Sequence, residues 1–249
     1  MRVWLTLWKR EVASIFFSPV AYILTTMFLA VMGVGFWSIA SYRLTDGATI
    51  YEVLRGLYGG VAWFAVLMVI PVLTMRSFSD EKRSGTLEAL LTAPVTDQEV
   101  VLAKFFGLLT VYVIMWLPTA AYILILNHLN DAQATVDTGA LSGAYLGIML
   151  IGSFFLSIGL FCSSLTENVI VSSISTFAII GLIFLFGFLP EVSPIPALQT
   201  FARPFSPILH MLDFARGVVD TRPVVLYVSG TVFMLVATVS VLDSRRWRS

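Results

Sequence analysis

The chain has 249 residues, of which 58% are hydrophobic and only 12% charged, against about 25% charged in a soluble domain. Too little polar surface is available to wrap a water-soluble core, so residues 1–249 read as one transmembrane domain. Fifteen basic and fifteen acidic residues give a formal net charge of +0, which leaves no basic face for nucleic acid and no such partner is expected.

At the N-terminus Val3, Trp4, Leu7, Trp8, Val12 and Ile15 recur at roughly helical spacing, with Lys9, Arg10 and Glu11 between them. Two tryptophans beside a basic face suit a helix lying in the membrane interface; a plain topology anchor is the alternative. The basic residues ahead of an apolar run could be taken for a signal peptide. The run from Val20 to Ala40, however, can cross a hydrocarbon core of roughly 30 Å and is followed by no long hydrophilic domain.

That run is the first of six expected spans: Val20 to Ala40, Leu57 to Met75, Leu102 to Leu126, Ala144 to Leu165, Val169 to Leu189 and Val224 to Leu242. Each carries about the 20 apolar residues that a helix needs to satisfy its own backbone in lipid. Pro71 and Pro118 fall inside two of them, where a missing N–H and a ring clash predict kinks. Alternate loops divide Lys and Arg ten against five, with both termini on the richer side. The positive-inside rule then places both termini in the cytoplasm.

Between the fifth and sixth spans, Ser206 and Pro207 supply an N-cap and a first helical residue for a segment Ile208 to Arg216, and Gly217 can end it. With Leu209, Leu212 and Ala215 close to one face, this reads as a short helix dipping into the outer leaflet; an ordinary helix packed on the outer surface is the alternative.

No catalytic constellation emerges. His128 and His210 lie in different loops, and HExxH, GxSxG and GxxxxGK(S/T) motifs are missing. The single cysteine, Cys162, forms no CxxC pair and no metal cluster, and Ser163 and Ser164 beside it read as helix-packing hydroxyls. So do Tyr112, Tyr122, Ser153, Ser157, Ser172, Ser173, Ser175 and Thr176, which could equally line a substrate path. No catalytic, cofactor-binding or metal-binding residue is expected. Apart from Lys104 at the start of the third, the spans carry no Asp, Glu, Lys or His, the groups with which ion-driven carriers bind their coupling ion. Uphill transport would then draw its energy from a partner.

The densest charge cluster runs from Arg76 to Lys104. Gly85 breaks its charged stretch, Thr86 can cap a short helix with Leu87, Leu90 and Leu91 as an apolar stripe, and Pro94 stops it. Thr96 and Glu99 form a capping-box pattern that opens the third span. Asp80, Glu81, Lys82, Arg83 and Glu88 are a mixed set that matches a protein partner better than anionic lipid.

The run Glu81-Lys-Arg-Ser-Gly-Thr-Leu-Glu-Ala-Leu-Leu-Thr-Ala-Pro94, with Lys104 beyond it, resembles the cytoplasmic loop of ABC-2 type transporter permeases, and most the gliding-motility and nitrous-oxide-reductase-maturation type. Phe214-Ala-Arg-Gly-Val-Val-Asp220 is a second point of resemblance to that subgroup. The resemblance implies an all-α membrane protein with six spans, an N-terminal interfacial helix and a re-entrant helix between the last two spans that includes Phe214, Arg216, Gly217 and Asp220. It implies a non-catalytic permease subunit in the bacterial cytoplasmic (inner) membrane, more an exporter than an importer. Such a subunit pairs with a second permease copy, as homodimer or heterodimer, and with two copies of a separate ATPase that holds ATP and Mg. The loop helix would be the coupling helix, with Glu81, Arg83, Gly85, Thr86, Leu87, Glu88 and Leu91 in the docking region. Some relatives carry a large extracytoplasmic insert that this sequence lacks, so an accessory domain would come from another chain; membrane lipid is the remaining partner. The rivals are a membrane scaffold or assembly factor that moves no solute, and an ion-coupled carrier.

Overall fold

A computed structural model describes residues 2–45, 50–86, 95–122, 124–125 and 138–246, and among these it contains helices and turns but no strand. Helix α1 (Arg2–Phe16) leads into α2 (Pro19–Thr45). Then come α3 (Ile50–Gly56), a π-helical turn over Leu57–Val61, α4 (Ala62–Thr74) and the short α5 (Ser79–Arg83). Beyond the loop lie α6 (Asp97–Trp116), α7 (Thr138–Leu165) and α8 (Val169–Val192). The short α9 (Pro196–Ala202) and α10 (Pro207–Ala215) precede α11 (Thr221–Arg246). Six of these segments are long and apolar enough to cross a membrane, the number expected.

Three spans form the interior and three the perimeter. The segments over Leu57–Arg83, Asp97–Ala120 and Gly139–Leu165 are mostly buried, whereas Pro19–Ser41, Val169–Val192 and Thr221–Ser244 keep most of their surface uncovered. Helix α7 is the hub, with α4, α6, α8, α10 and α11 all packed on it. The core is rich in aromatic contacts: Trp116 meets Phe28 edge-on at 4.9 Å between ring centroids, and Tyr112 stands at 6.1 Å from the same indole. The perimeter carries large apolar side chains such as Trp37, Ile174, Leu182 and Phe233 outward, as expected of helices whose solvent is lipid or another apolar helix.

The prolines behave differently from each other. Pro71 sits inside α4, and the helix runs on to Thr74, whose hydroxyl donates to the carbonyl of Ile70 at 2.9 Å. At Pro118 the α-helix gives way to a 3-10 turn over Leu117–Ala120, which adapts the ladder to the missing N–H. The hydroxyls within the spans mostly bond back to their own helices: Ser153 to Met149, Ser157 to Phe154, Thr176 to Ser172. That is the usual way a hydroxyl is satisfied in a buried helix.

Helix α1 is bound to α6. Trp4 packs edge-on against Phe106 at 5.8 Å, and the Trp8 indole N–H donates to the Thr110 hydroxyl at 3.2 Å. Gly107 lets the backbones close, since a Cβ there would lie 3.0 Å from the Cβ of Glu11.

Candidate functional site

The loop that the sequence singles out begins as a rigid structure. After α4 the chain turns through Met75–Phe78, where the Ser163 hydroxyl accepts from the N–H groups of Phe78 (3.0 Å) and Ser79 (3.2 Å) and donates to the carbonyl of Met75 (3.1 Å). One serine near the end of α7 therefore satisfies three backbone groups that a buried turn would otherwise leave open. Beside it the Lys82 ammonium donates to the carbonyl of Ser164, one of the carbonyls that a helix C-terminus leaves without an internal partner. Both contacts tie α5 to α7.

A second tie runs to α6 and α1. Lys104, only 3% exposed, places its Nζ 2.6 Å from Glu81 Oε1 and 3.2 Å from Glu11 Oε1, with the ammonium 5.2 Å above the centre of the Phe78 ring. Three elements distant in sequence thus share one buried cation. Isolated, that ammonium would be costly to bury, and two carboxylates with an aromatic face are what make its position tenable. The other Glu81 oxygen, Oε2, is buried with no hydrogen-bond partner among the described residues. A cavity of about 260 Å³ opens beside the triad, lined by Arg76, Asp80, Ser14 and the apolar side chains of Val72 and Leu24.

The expected docking residues separate into two groups. Arg83 is exposed, with one loose contact to Asp80 at 3.7 Å. Gly85 adopts φ +71°, a left-handed conformation that suits glycine, and its N–H bonds the carbonyl of Lys82 to end α5. Thr86 is exposed and its hydroxyl reaches the Glu81 carbonyl at 3.3 Å. Glu81 instead points inward to Lys104. Leu87, Glu88, Leu90, Leu91 and the helix expected over them lie outside the described residues. The chain is described again at Val95, and Thr96 and Glu99 form the capping box foreseen for α6: the Thr96 hydroxyl accepts from Glu99 N at 3.3 Å and the Glu99 carboxylate accepts from Thr96 N at 3.0 Å.

The opposite membrane face is built around α10. Ser206 caps it, accepting from Leu209 N at 3.3 Å and donating to the carbonyl of Gly187 at 2.7 Å, with Pro207 as the first helical residue. Gly217, at φ +76°, closes it: Gly217 N–H bonds Phe214 and Val218 N–H bonds Asp213, a Schellman arrangement. Phe214 is buried against α7, where a Cβ on Gly147 would stand 2.8 Å from its ring. Arg216 is exposed and pairs with Asp213 at 3.6 Å, while Asp220 accepts from Arg222 N at 3.0 Å at the start of α11. The second histidine, His210, is buried, with Nδ1 2.8 Å from the Tyr227 hydroxyl; burial holds its pKa below the ordinary value, against the opposing pull of Asp213 and Asp220.

Sequence reasoning missed the ties that anchor α5. Ser163 and Ser164 read as generic packing hydroxyls, Glu11 as part of a polar helix face, and Lys104 as a charge at the start of the third span with no partner named. A signal was present in the last case, because a lysine three residues inside an apolar run needs a carboxylate nearby.

The family described as ABC-2 family transporter protein matches residues 7–247. The chain belongs to the ABC-2 transporter family. It is therefore a multi-pass membrane protein and the permease subunit of an ABC transporter, of a family that generally works with an ABC ATPase and often dimerises. No curated protein matches the sequence.

Proposed function

We propose that this ABC-2 permease is driven by a separate ATPase that docks on the segment following α5, and that it exports its substrate. Its two copies, or this chain and a homologous partner, would sit in a bacterial inner membrane with both termini cytoplasmic and bind two ATPase subunits carrying ATP and Mg. The orientation rests on the ten-to-five split of Lys and Arg, and the export direction and the gliding-motility or nitrous-oxide-reductase-maturation subgroup on the loop resemblance. On this reading α1 lies in the cytoplasmic interface, α10 re-enters the outer leaflet, and an extracytoplasmic domain, where one is needed, belongs to another chain.

The observation that carries the docking reading is the contrast around α5. The exposed groups Arg83, Gly85 and Thr86 stand at the tip of an element whose base is bonded to α7 through Ser163 and Lys82 and to α6 and α1 through Lys104. A push on the tip would reach those three helices together. Nucleotide can drive the permease only through a difference in contact energy at that tip between the ATPase's states. Glu81, in this scheme, holds the base instead of touching the partner.

The test is Arg83→Glu in the full chain, followed by pull-down from native membranes in mild detergent and assay of ATP hydrolysis. The expected outcome is normal insertion with the co-purifying nucleotide-binding chain lost or reduced. A variant that retains its full complement of that chain would remove Arg83 from the docking surface. A wild-type pull-down with no such chain, even after crosslinking, would favour the scaffold.

A further inference from the structure

Two concavities meet near the base of α10, and neither belongs to the α5 junction. The first, about 750 Å³, is a basin on the face opposite the chain termini with four arginines against three carboxylates on its walls, one positive charge in excess. The second, about 630 Å³, is an apolar groove between α8 and α11, walled by Leu182, Phe186, Phe233 and Met234. Phe205 and Leu226 line both, so the basin adjoins the groove.

Their arrangement has the polarity of a lipid. Arg203 and Arg222 both line the basin, Arg203 two residues before Phe205 in the chain and Arg222 one helical turn before Leu226 on α11, and Phe205 and Leu226 line the groove as well. Both residues are exposed, and neither makes an ion pair among the described residues. Asp213, the nearest acidic residue of α10, is taken by Arg216. From Leu226 to Met234 the groove follows α11 for about 12 Å, most of the roughly 15 Å depth of one leaflet's hydrocarbon. The Ser229 hydroxyl inside it turns back to the carbonyl of Leu226 at 3.2 Å, which leaves an apolar lining. Gly230 sets the width, because a Cβ there would lie 2.7 Å from the ring of Phe154. Leu182 and Phe233 are about two-thirds exposed, so the groove is open sideways along its length.

We propose that this composite site binds one anionic phospholipid of the leaflet opposite the termini, its phosphate between Arg203 and Arg222 and one acyl chain in the groove between α8 and α11. A helix from a second copy would fill the groove without using the arginines. A soluble anion would use the arginines without the groove. Only an amphiphile with a negative headgroup accounts for both. The site rests on the six-span reading, with the outer leaflet following from the proposed orientation, and is independent of any ATPase.

The full chain is reconstituted without ATPase or nucleotide in phosphatidylcholine bilayers. These contain a few mole per cent of phosphatidylglycerol or phosphatidylcholine bearing a diazirine on one acyl chain. After irradiation, labelled peptides are located by mass spectrometry. The phosphatidylglycerol probe is expected to label the peptides containing Leu182 and Phe233 about tenfold more than the phosphatidylcholine probe, the factor that one charge-assisted contact supplies. The double variant R203Q/R222Q should bring the two probes level, and S229F, which fills the groove, should lower both while the melting temperature is kept. Equal labelling by the two probes in the wild-type chain, or labelling unchanged in R203Q/R222Q, would overturn the proposal. So would protein–protein crosslinks joining two copies through the Phe233 segment in place of lipid adducts.

Discussion

The two membrane faces are held by different balances of polar bonding and close packing. On the side of the termini, α5 is joined to its neighbours by directional polar bonds: Ser163 to three backbone groups, Lys82 to a helix end, and Lys104 to two carboxylates. On the far side, α10 has two such bonds, Ser206 to the Gly187 carbonyl and His210 to the Tyr227 hydroxyl, and is otherwise seated by shape, with Phe214 against the glycines of α7, Leu212 against Gly59 and Pro207 against Gly187. Polar bonds fix a distance and a direction, so a displaced α5 must carry its partners or break the bonds. Close-packed surfaces can slide until a side chain clashes. The α5 junction has more such bonds, and to more elements, than α10 has.

Removing the shared cation should be the largest single effect. Lys104→Met leaves the half-buried Glu11 and Glu81 carboxylates side by side without their ammonium and should cost up to about 3 kcal/mol, read as a lower midpoint in denaturant or thermal unfolding of the detergent-solubilised chain. Lys104→Met with Glu81→Gln should recover part of that loss, because fewer unpaired charges remain. If the double change is as harmful as the sum of the single changes, the ion pair contributes no coupling and the contrast between the two faces fails on this side.

Gly147→Leu probes the far face. Its side chain would occupy the space of the Phe214 ring, and overpacking of this kind costs about 1–3 kcal/mol. The expected signature is increased protease or labelling access across α10 while the rest of the chain stays folded. Uniform destabilisation would mean that α10 is as firmly built in as α5.

Ser163→Ala leaves the N–H groups of Phe78 and Ser79 without an acceptor, at a cost of about 1–3 kcal/mol. The loss should appear locally, as faster amide exchange over residues 75–83. Unchanged exchange there would show that Lys82 and the Glu81–Lys104 pair hold the turn without the serine.

The smallest effect concerns acid. The pKa of His210 is lowered in the folded state, so the unfolded chain binds more protons as pH falls through the ordinary histidine value of about 6.5. The stability that neutral His210 contributes is present above that range and lost below the lowered folded pKa. Melting temperature should therefore fall more between pH 7 and 5 in the wild-type chain than in His210→Gln, and parallel profiles would exclude His210 as the cause.

Local signals in the sequence reached further than the contacts did. The caps at Ser206 and Thr96, the stop at Gly217 and the number of spans follow from residues next to one another, where hydrogen-bond partners lie within a turn. The π-helical turn at Leu57–Val61 and the uninterrupted course of α4 past Pro71 do not, because tertiary packing decides whether a local weakness becomes a break.

What the sequence determined by itself is the kind of molecule: an all-helical chain crossing a membrane six times, because each run must satisfy its own backbone in lipid and can do so only as a helix. It also marked the loop after the second span as the place where charge and turn residues concentrate. Only the tertiary structure decided which charges stand exposed and which face each other. Glu81 and Arg83 are two residues apart in one charged run, yet one carboxylate is turned onto a lysine of α6 and the other side chain stands in the open. That division depends on α1, α5 and α6 meeting at one buried cation; the sequence shows the lysine in its apolar run, but a burial energy shared among three distant segments leaves no mark of which carboxylates it meets.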